Sequence, residues 1–105
     1  QFICQTIKYN LSKNSPIVIL HGTDTMTLTA EYCYNHLSDV QVPIVFTGAM
    51  KPMGFDDSDA TQNVTEALLA AKLLSPGIYI SFHNEIFEVP QVRKNKEKRT
   101  FERTK

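Results

Sequence analysis

Residues 16–26 read Pro16-Ile17-Val18-Ile19-Leu20-His21-Gly22-Thr23-Asp24-Thr25-Met26. Ile17–Leu20 is a short, continuous apolar run, as expected for a strand covered on both faces of a parallel sheet. From Met26 the period changes. Met26, Ala30, Cys33 and Leu37 fall at i, i+4, i+7 and i+11, one stripe of a helix over about residues 25–38. A buried strand therefore hands over to a helix, and the junction holds a glycine, two hydroxyls and a carboxylate. A strand followed at once by a helix is the repeating step of an α/β fold.

The same step recurs outward from this junction. Phe2, Ile3, Ile7 and Leu11 have helical spacing, and the cluster Ser12–Pro16 breaks that helix. After Ser38-Asp39, Pro43 opens a strand at Ile44–Thr47, and residues 48–54 form a loop. Asp59 starts another helix, with Gln62 at the capping-box partner position. Ala60, Val64, Ala67 or Leu68, Ala71 and Leu74 make its buried stripe, and Ser75-Pro76-Gly77 stops it. Ile78–Phe82 is a third strand and Ile86–Val89 a short fourth. The order α-β-α-β-α-β predicts an α/β fold, a parallel sheet of βαβ units with right-handed crossovers.

Composition narrows the function classes. A chain of 105 residues is one domain at most, and 42% apolar with 21% charged residues is ordinary for a soluble globular protein. Formal net charge is zero, so no global field steers the chain to nucleic acid or membrane, and neither is expected as a partner. No apolar run approaches the roughly 20 residues that span a bilayer. No signal peptide is recognisable. Cys4 and Cys33 have neither metal-site nor disulfide-scaffold spacing and are expected to be reduced, buried thiols. The expected location is cytoplasmic.

In an open parallel sheet, ligands bind outside the carboxyl ends of the strands. Those ends carry His21–Thr25, Gly48–Pro52 and His83-Asn84-Glu85, so topology alone gathers three polar loops at one edge. A threonine hydroxyl becomes a nucleophile when a neighbouring base takes its proton. Backbone N–H groups at a helix start stabilise a developing oxyanion. Gly22 lets a substrate approach the backbone, and Asp24 suits an ammonium group or a lysine. This set fits acyl transfer at an amide or ester. Thr23, Asp24 and Thr25 are equally good N-cap residues, so helix capping explains them too.

Three motifs together carry a family resemblance. HGTDTM (residues 21–26) follows one strand, TGAMKP (47–52) follows the next, and SDATQN (58–63) opens a helix. The combination resembles the bacterial-type L-asparaginase family over roughly residues 17–95. That family also includes the asparaginase-like subunit of archaeal glutamyl-tRNA amidotransferase. The resemblance implies a larger flavodoxin-like α/β domain joined to a smaller one. It implies hydrolysis of L-asparagine, and often L-glutamine, to the acid and ammonia, with no metal and no cofactor. By the same resemblance, Thr23 matches the second threonine of a Thr-Lys-Asp triad. Asp24 matches the aspartate that also holds the substrate ammonium group. Gly22 and Thr23 would offer backbone to the substrate, and Ala49 matches the position whose carbonyl faces the substrate amide. Lys94, in Val92-Arg93-Lys94-Asn95, matches the triad lysine, and a lysine stripped of water suits proton transfer. A homo-oligomer is also implied.

The chain departs from the family pattern in two ways. The primary nucleophile threonine and the substrate-clamping pair lie upstream of HGTDT in the family, and residues 1–22 hold neither. The smaller C-terminal domain is missing as well. The chain opens mid-pattern at Gln1 and is expected to be a truncated part of a larger three-layer domain. Alone it is expected to be inactive, since losing members of a catalytic set costs orders of magnitude in rate. It is also expected to self-associate through apolar surface left uncovered.

Other features have blander readings. Residues 93–105 hold seven basic residues in thirteen, and residues 96–105 are expected to be a solvated basic tail leading to a missing segment. His21, His36 and His83 lack metal-ligand spacing, and His21 is expected to brace its loop by hydrogen bonding. Asp56, Asp57 and Asp59 lack the EF-hand pattern and are assigned to loop and cap. Two alternatives to an asparaginase stand beside it: an amidotransferase subunit that releases ammonia for a partner, and a non-catalytic remnant that binds an amino acid or a partner.

Overall fold

The computed structural model describes residues 2–50 and 58–104. Helix α1 spans Phe2–Leu11, strand β1 Ile17–Leu20, helix α2 Met26–His36, strand β2 Pro43–Thr47, helix α3 Ala60–Leu73 and strand β3 Gly77–Phe82. Each lies within a residue or two of its expected position. Strands β4 (Glu85–Glu88), β5 (Val92–Asn95) and β6 (Thr100–Arg103) follow. Lys51 and Pro52 of the second motif, and Asp56 and Asp57, lie outside the described residues.

The four-stranded sheet runs β1-β2-β3-β4. Strands β1, β2 and β3 are parallel, with Ile17 opposite Ile44 and Ile44 opposite Ile78. Strand β4 runs antiparallel to β3, with Phe82 opposite Glu85. The reversal takes only His83 and Asn84, at φ 46° and 68°. Two left-handed residues match the right-handed strand twist of a tight hairpin.

Alternation along the strands divides the core. Ile44, Phe46, Ile80 and Phe82 pack with Cys4 and Ile7 of α1 and with Met26, Ala30 and Cys33 of α2. Val45 and Tyr79 point the other way, against Ala67 and Ala71 of α3. Helices thus cover both faces, the three-layer arrangement of an α/β domain. Each large side chain so buried contributes roughly 1.5–3 kcal/mol of transfer free energy.

Three expectations are corrected. Strand β1 is only partly buried, because it is the outer strand of the sheet among the described residues. The buried face of α3 is Ala60, Asn63, Ala67, Ala70 and Ala71, while Leu68 is exposed. Alanines let the helix lie close to the sheet, and the stripe turns to bury Asn63 in place of Val64. The third correction concerns residues 96–105. Instead of a wholly solvated tail, Thr100–Arg103 returns as β6 and pairs with β5. Phe101 is buried and meets Phe82 edge-on with ring centroids 4.9 Å apart. Arg103 donates to the Ile86 carbonyl at 3.0 Å and lies over the Phe87 ring. The density of basic residues had masked a strand with one inward aromatic.

Candidate functional site

Gly48 begins the geometry of the strand ends. A Cβ added there would lie 2.2 Å from the His21 carbonyl oxygen. Only glycine lets the chain leaving β2 cross so near the chain leaving β1. The His21 N–H bonds the Thr47 carbonyl at 2.9 Å and closes the same junction. His21 Nδ1 donates to the Gly22 carbonyl at 2.8 Å, which leaves Nε2 to accept the Thr29 hydroxyl at 2.9 Å in the neutral ring. His21 thus braces its loop, as expected.

Thr25 occupies the N-cap of α2 but makes no side-chain capping bond. The capping reading of this stretch is therefore not realised by Thr25, and Thr23 and Asp24 face elsewhere. Lys94 Nζ donates to Thr23 Oγ1 at 2.9 Å and to Asp24 Oδ1 at 2.6 Å. Hairpin alternation explains how the lysine arrives. Val92, Lys94 and Phe101 share one face of the β5–β6 pair, and Val92 and Phe101 are buried. Arg93 on the opposite face pairs with Glu102 instead, at 2.5 Å. Lys94 is consequently 17% exposed, whereas the Asp24 carboxylate it meets is 85% exposed. The hydrogen bond from Lys94, its positive charge and the charge of Lys96 together hold the Asp24 carboxyl below its ordinary value.

Thr23, Asp24 and Lys94 line a cavity of about 260 Å³ with Met50, Lys96 and Arg99. Gly22 and Ala49 are not in that lining. A Cβ added at Gly22 would meet nothing within 4 Å among the described residues, so none of their packing requires glycine there. Ala49 follows the buried Gly48 and is half-buried. A second hollow, about 310 Å³ between α1 and β1, is lined mainly by Phe2, Ile3, Ile7 and Ile17–Ile19 and lacks any such cluster of charges.

Sequence reasoning missed a second polar group beside the first. Asn63 is fully buried. It donates to the Gly48 carbonyl at 2.9 Å and to Asp59 Oδ2 at 3.2 Å, and accepts the His83 N–H at 3.0 Å. Asp59 Oδ2 also receives the Met50 N–H at 3.2 Å and His83 Nε2 at 2.5 Å. The expected capping box is absent: Asp59 makes no side-chain cap, and Gln62 bonds Glu66 and Asn84. An asparagine on the inner face of an alanine-rich helix was the available signal.

Comparison with known proteins follows the same outline. The family profile described as "Asparaginase, N-terminal" matches residues 1–103. The chain belongs to the asparaginase family. An L-asparaginase of Thermococcus kodakarensis is 38% identical over 78 residues, covering 74% of this chain and 24% of that protein. The solved structure of the thermostable L-asparaginase from that organism superposes with a TM-score of 0.89 at 30% identity, over 97% of this asparaginase-family chain and 32% of the other. A 60 kDa lysophospholipase of Mus musculus is 36% identical over 86 residues, 81% of this chain and 15% of that protein. A glutamyl-tRNA(Gln) amidotransferase subunit of Methanococcus vannielii is 40% identical over 70 residues, 67% of this chain and 16% of that protein. The chain thus spans a third or less of the length of these relatives. Among the described residues, no helix is long and apolar enough to cross a membrane.

Proposed function

We propose that this chain supplies the Thr-Lys-Asp part of an amide-hydrolysing site that acts on L-asparagine. One observation carries the reading: Lys94 reaches Thr23 and Asp24 at 2.9 and 2.6 Å from a hairpin about 70 residues further along the chain. Asp24 uses one carboxylate oxygen for Lys94, and in this reading the other takes an amino-acid ammonium group. In this reading the Gly22 backbone and the Ala49 carbonyl, both outside the cavity lining, face the substrate amide.

In this reading a hydroxyl attacks the side-chain amide carbon. A C–O bond forms as the C–N bond breaks. The Lys94 ammonium gives a proton to the departing nitrogen, which leaves as ammonia, and the proton of the attacking hydroxyl restores it. Water then splits the ester to give aspartate and restore the hydroxyl.

The test is ammonia release from L-asparagine by the complete protein and by its Thr23→Ala, Asp24→Ala and Lys94→Ala variants. Each variant is expected to lose at least about a hundredfold in kcat/KM. Near-normal rates in all three would remove these residues from the chemistry. The 40% identity to the amidotransferase subunit supports a second reading, ammonia production for a partner subunit. Ammonia release that requires an added partner would favour it.

A further inference from the structure

We infer that His83 is a positioning residue that couples the loop after β2 to the hairpin carrying Lys94. The inference deepens the amidohydrolase reading and rests on it for its kinetic consequence. Its geometry stands separately.

The carboxylate of Asp59 only accepts hydrogen bonds, so His83 Nε2 must be the donor in their 2.5 Å contact. In the neutral ring Nδ1 is then an acceptor, and it lies 2.8 Å from Thr100 Oγ1. The contacts thus form one continuous chain, from Thr100 through the imidazole to Asp59. At one end Thr100 is the register partner of Asn95, next to Lys94 in β5. At the other, Asp59 Oδ2 holds the Met50 N–H, next to Ala49. Asn63 fastens the middle, taking the His83 N–H and donating to both Gly48 and Asp59. His83 itself sits in the β3–β4 reversal at φ 46°. A non-glycine residue in that region is uncommon and persists where its surroundings hold it.

The loop after β2, by way of Asp59, and the β5–β6 hairpin, by way of Thr100, thus meet on one imidazole. The proposed amide-facing carbonyl of Ala49 and the proposed proton-handling amine of Lys94 are placed relative to each other through it. Among the described residues β5 and β6 form a sheet separate from β1–β4, so side-chain links such as this one, and not a strand ladder, join the two.

Thr100→Val keeps the shape of Thr100 and removes its hydroxyl, while Thr100→Ser keeps the hydroxyl. In the complete protein, Thr100→Val is expected to lower kcat for L-asparagine about tenfold or more, with Thr100→Ser near wild type. Amide hydrogen exchange read by mass spectrometry tests the coupling itself. Segment 48–50 is expected to exchange faster in Thr100→Val and in His83→Ala, and at the wild-type rate in Thr100→Ser. Equal behaviour of the valine and serine variants, or faster exchange confined to residues 92–103, would overturn the inference. If the wild-type protein releases no ammonia from L-asparagine, the amidohydrolase reading fails, and the exchange comparison still decides the role of His83.

Discussion

Lys94 and Thr23 are 71 positions apart in the chain and 2.9 Å apart in space. The contact depends on pleat parity in β5. Sliding the hairpin by one residue would turn Lys94 to solvent and bring a neighbour inward.

The same lysine governs the titration of Asp24. Hydrogen bonding and charge from Lys94 keep the carboxyl below its ordinary value of 3.8, so Asp24 remains ionised as the pH falls toward that value. A depressed carboxyl contributes to stability above the unfolded-state value and loses that contribution as pH drops through the folded one. In Lys94→Ala the Asp24 midpoint is expected to rise. Carbon-13 NMR titration of the carboxyl in both proteins measures it, and an unchanged midpoint would mean Lys94 is not its partner in solution.

Gly48→Ala is expected to destabilise the fold by about 1–3 kcal/mol, because the new methyl meets a backbone oxygen that cannot swing aside. The contact to be relieved is the 2.2 Å approach to the His21 carbonyl. Urea unfolding of this variant beside Gly22→Ala is the check. None of the described residues lies within 4 Å of a Cβ at Gly22, so the second substitution is expected to be mild by comparison.

Asn63→Ala is expected to cost about 3 kcal/mol, because it strips partners from groups around a fully buried site. Asn63→Asp is expected to fare no better, since a second carboxylate would face Asp59, which now lies 3.2 Å from the amide nitrogen. Wild-type stability in either variant, read from the unfolding midpoint, would show that the network is dispensable to the fold.

Cys33 is expected to resist thiol reagents in the folded protein. Burial, and then its neighbour Cys4, push the thiol up to about 12, so thiolate is scarce at neutral pH. Labelling with a disulfide reagent at pH 8 should be slow until the chain is unfolded in denaturant. Prompt labelling of native protein would contradict the packing of α1 on α2.

Much of this was legible in the residues. Ile17–Leu20 and Ile44–Thr47 are strands because unbroken β-branched or aromatic runs bounded by breakers leave few other choices. Thr23 and Asp24 stood out because a sheet edge concentrates function. The β5–β6 hairpin was obscured because lysines and arginines crowd a strand pair in which only Val92 and Phe101 are buried inward residues. Asp59, Asn63 and His83 were unreadable as a unit. Their bonds join three loops that only the folded sheet brings together, and each residue has an innocent local explanation as a cap, a helix position or a turn.

The two-residue reversal at His83 and Asn84 also polarises how the sheet can widen. Its β4 rim carries exposed Glu85 and Glu88, and repeated like charge along an edge repels an incoming strand. The β1 rim is Ile-Val-Ile-Leu, without a charge. One border of the sheet is guarded and the other is receptive. Among the described residues the two rims thus differ in kind, acidic along β4 and apolar along β1.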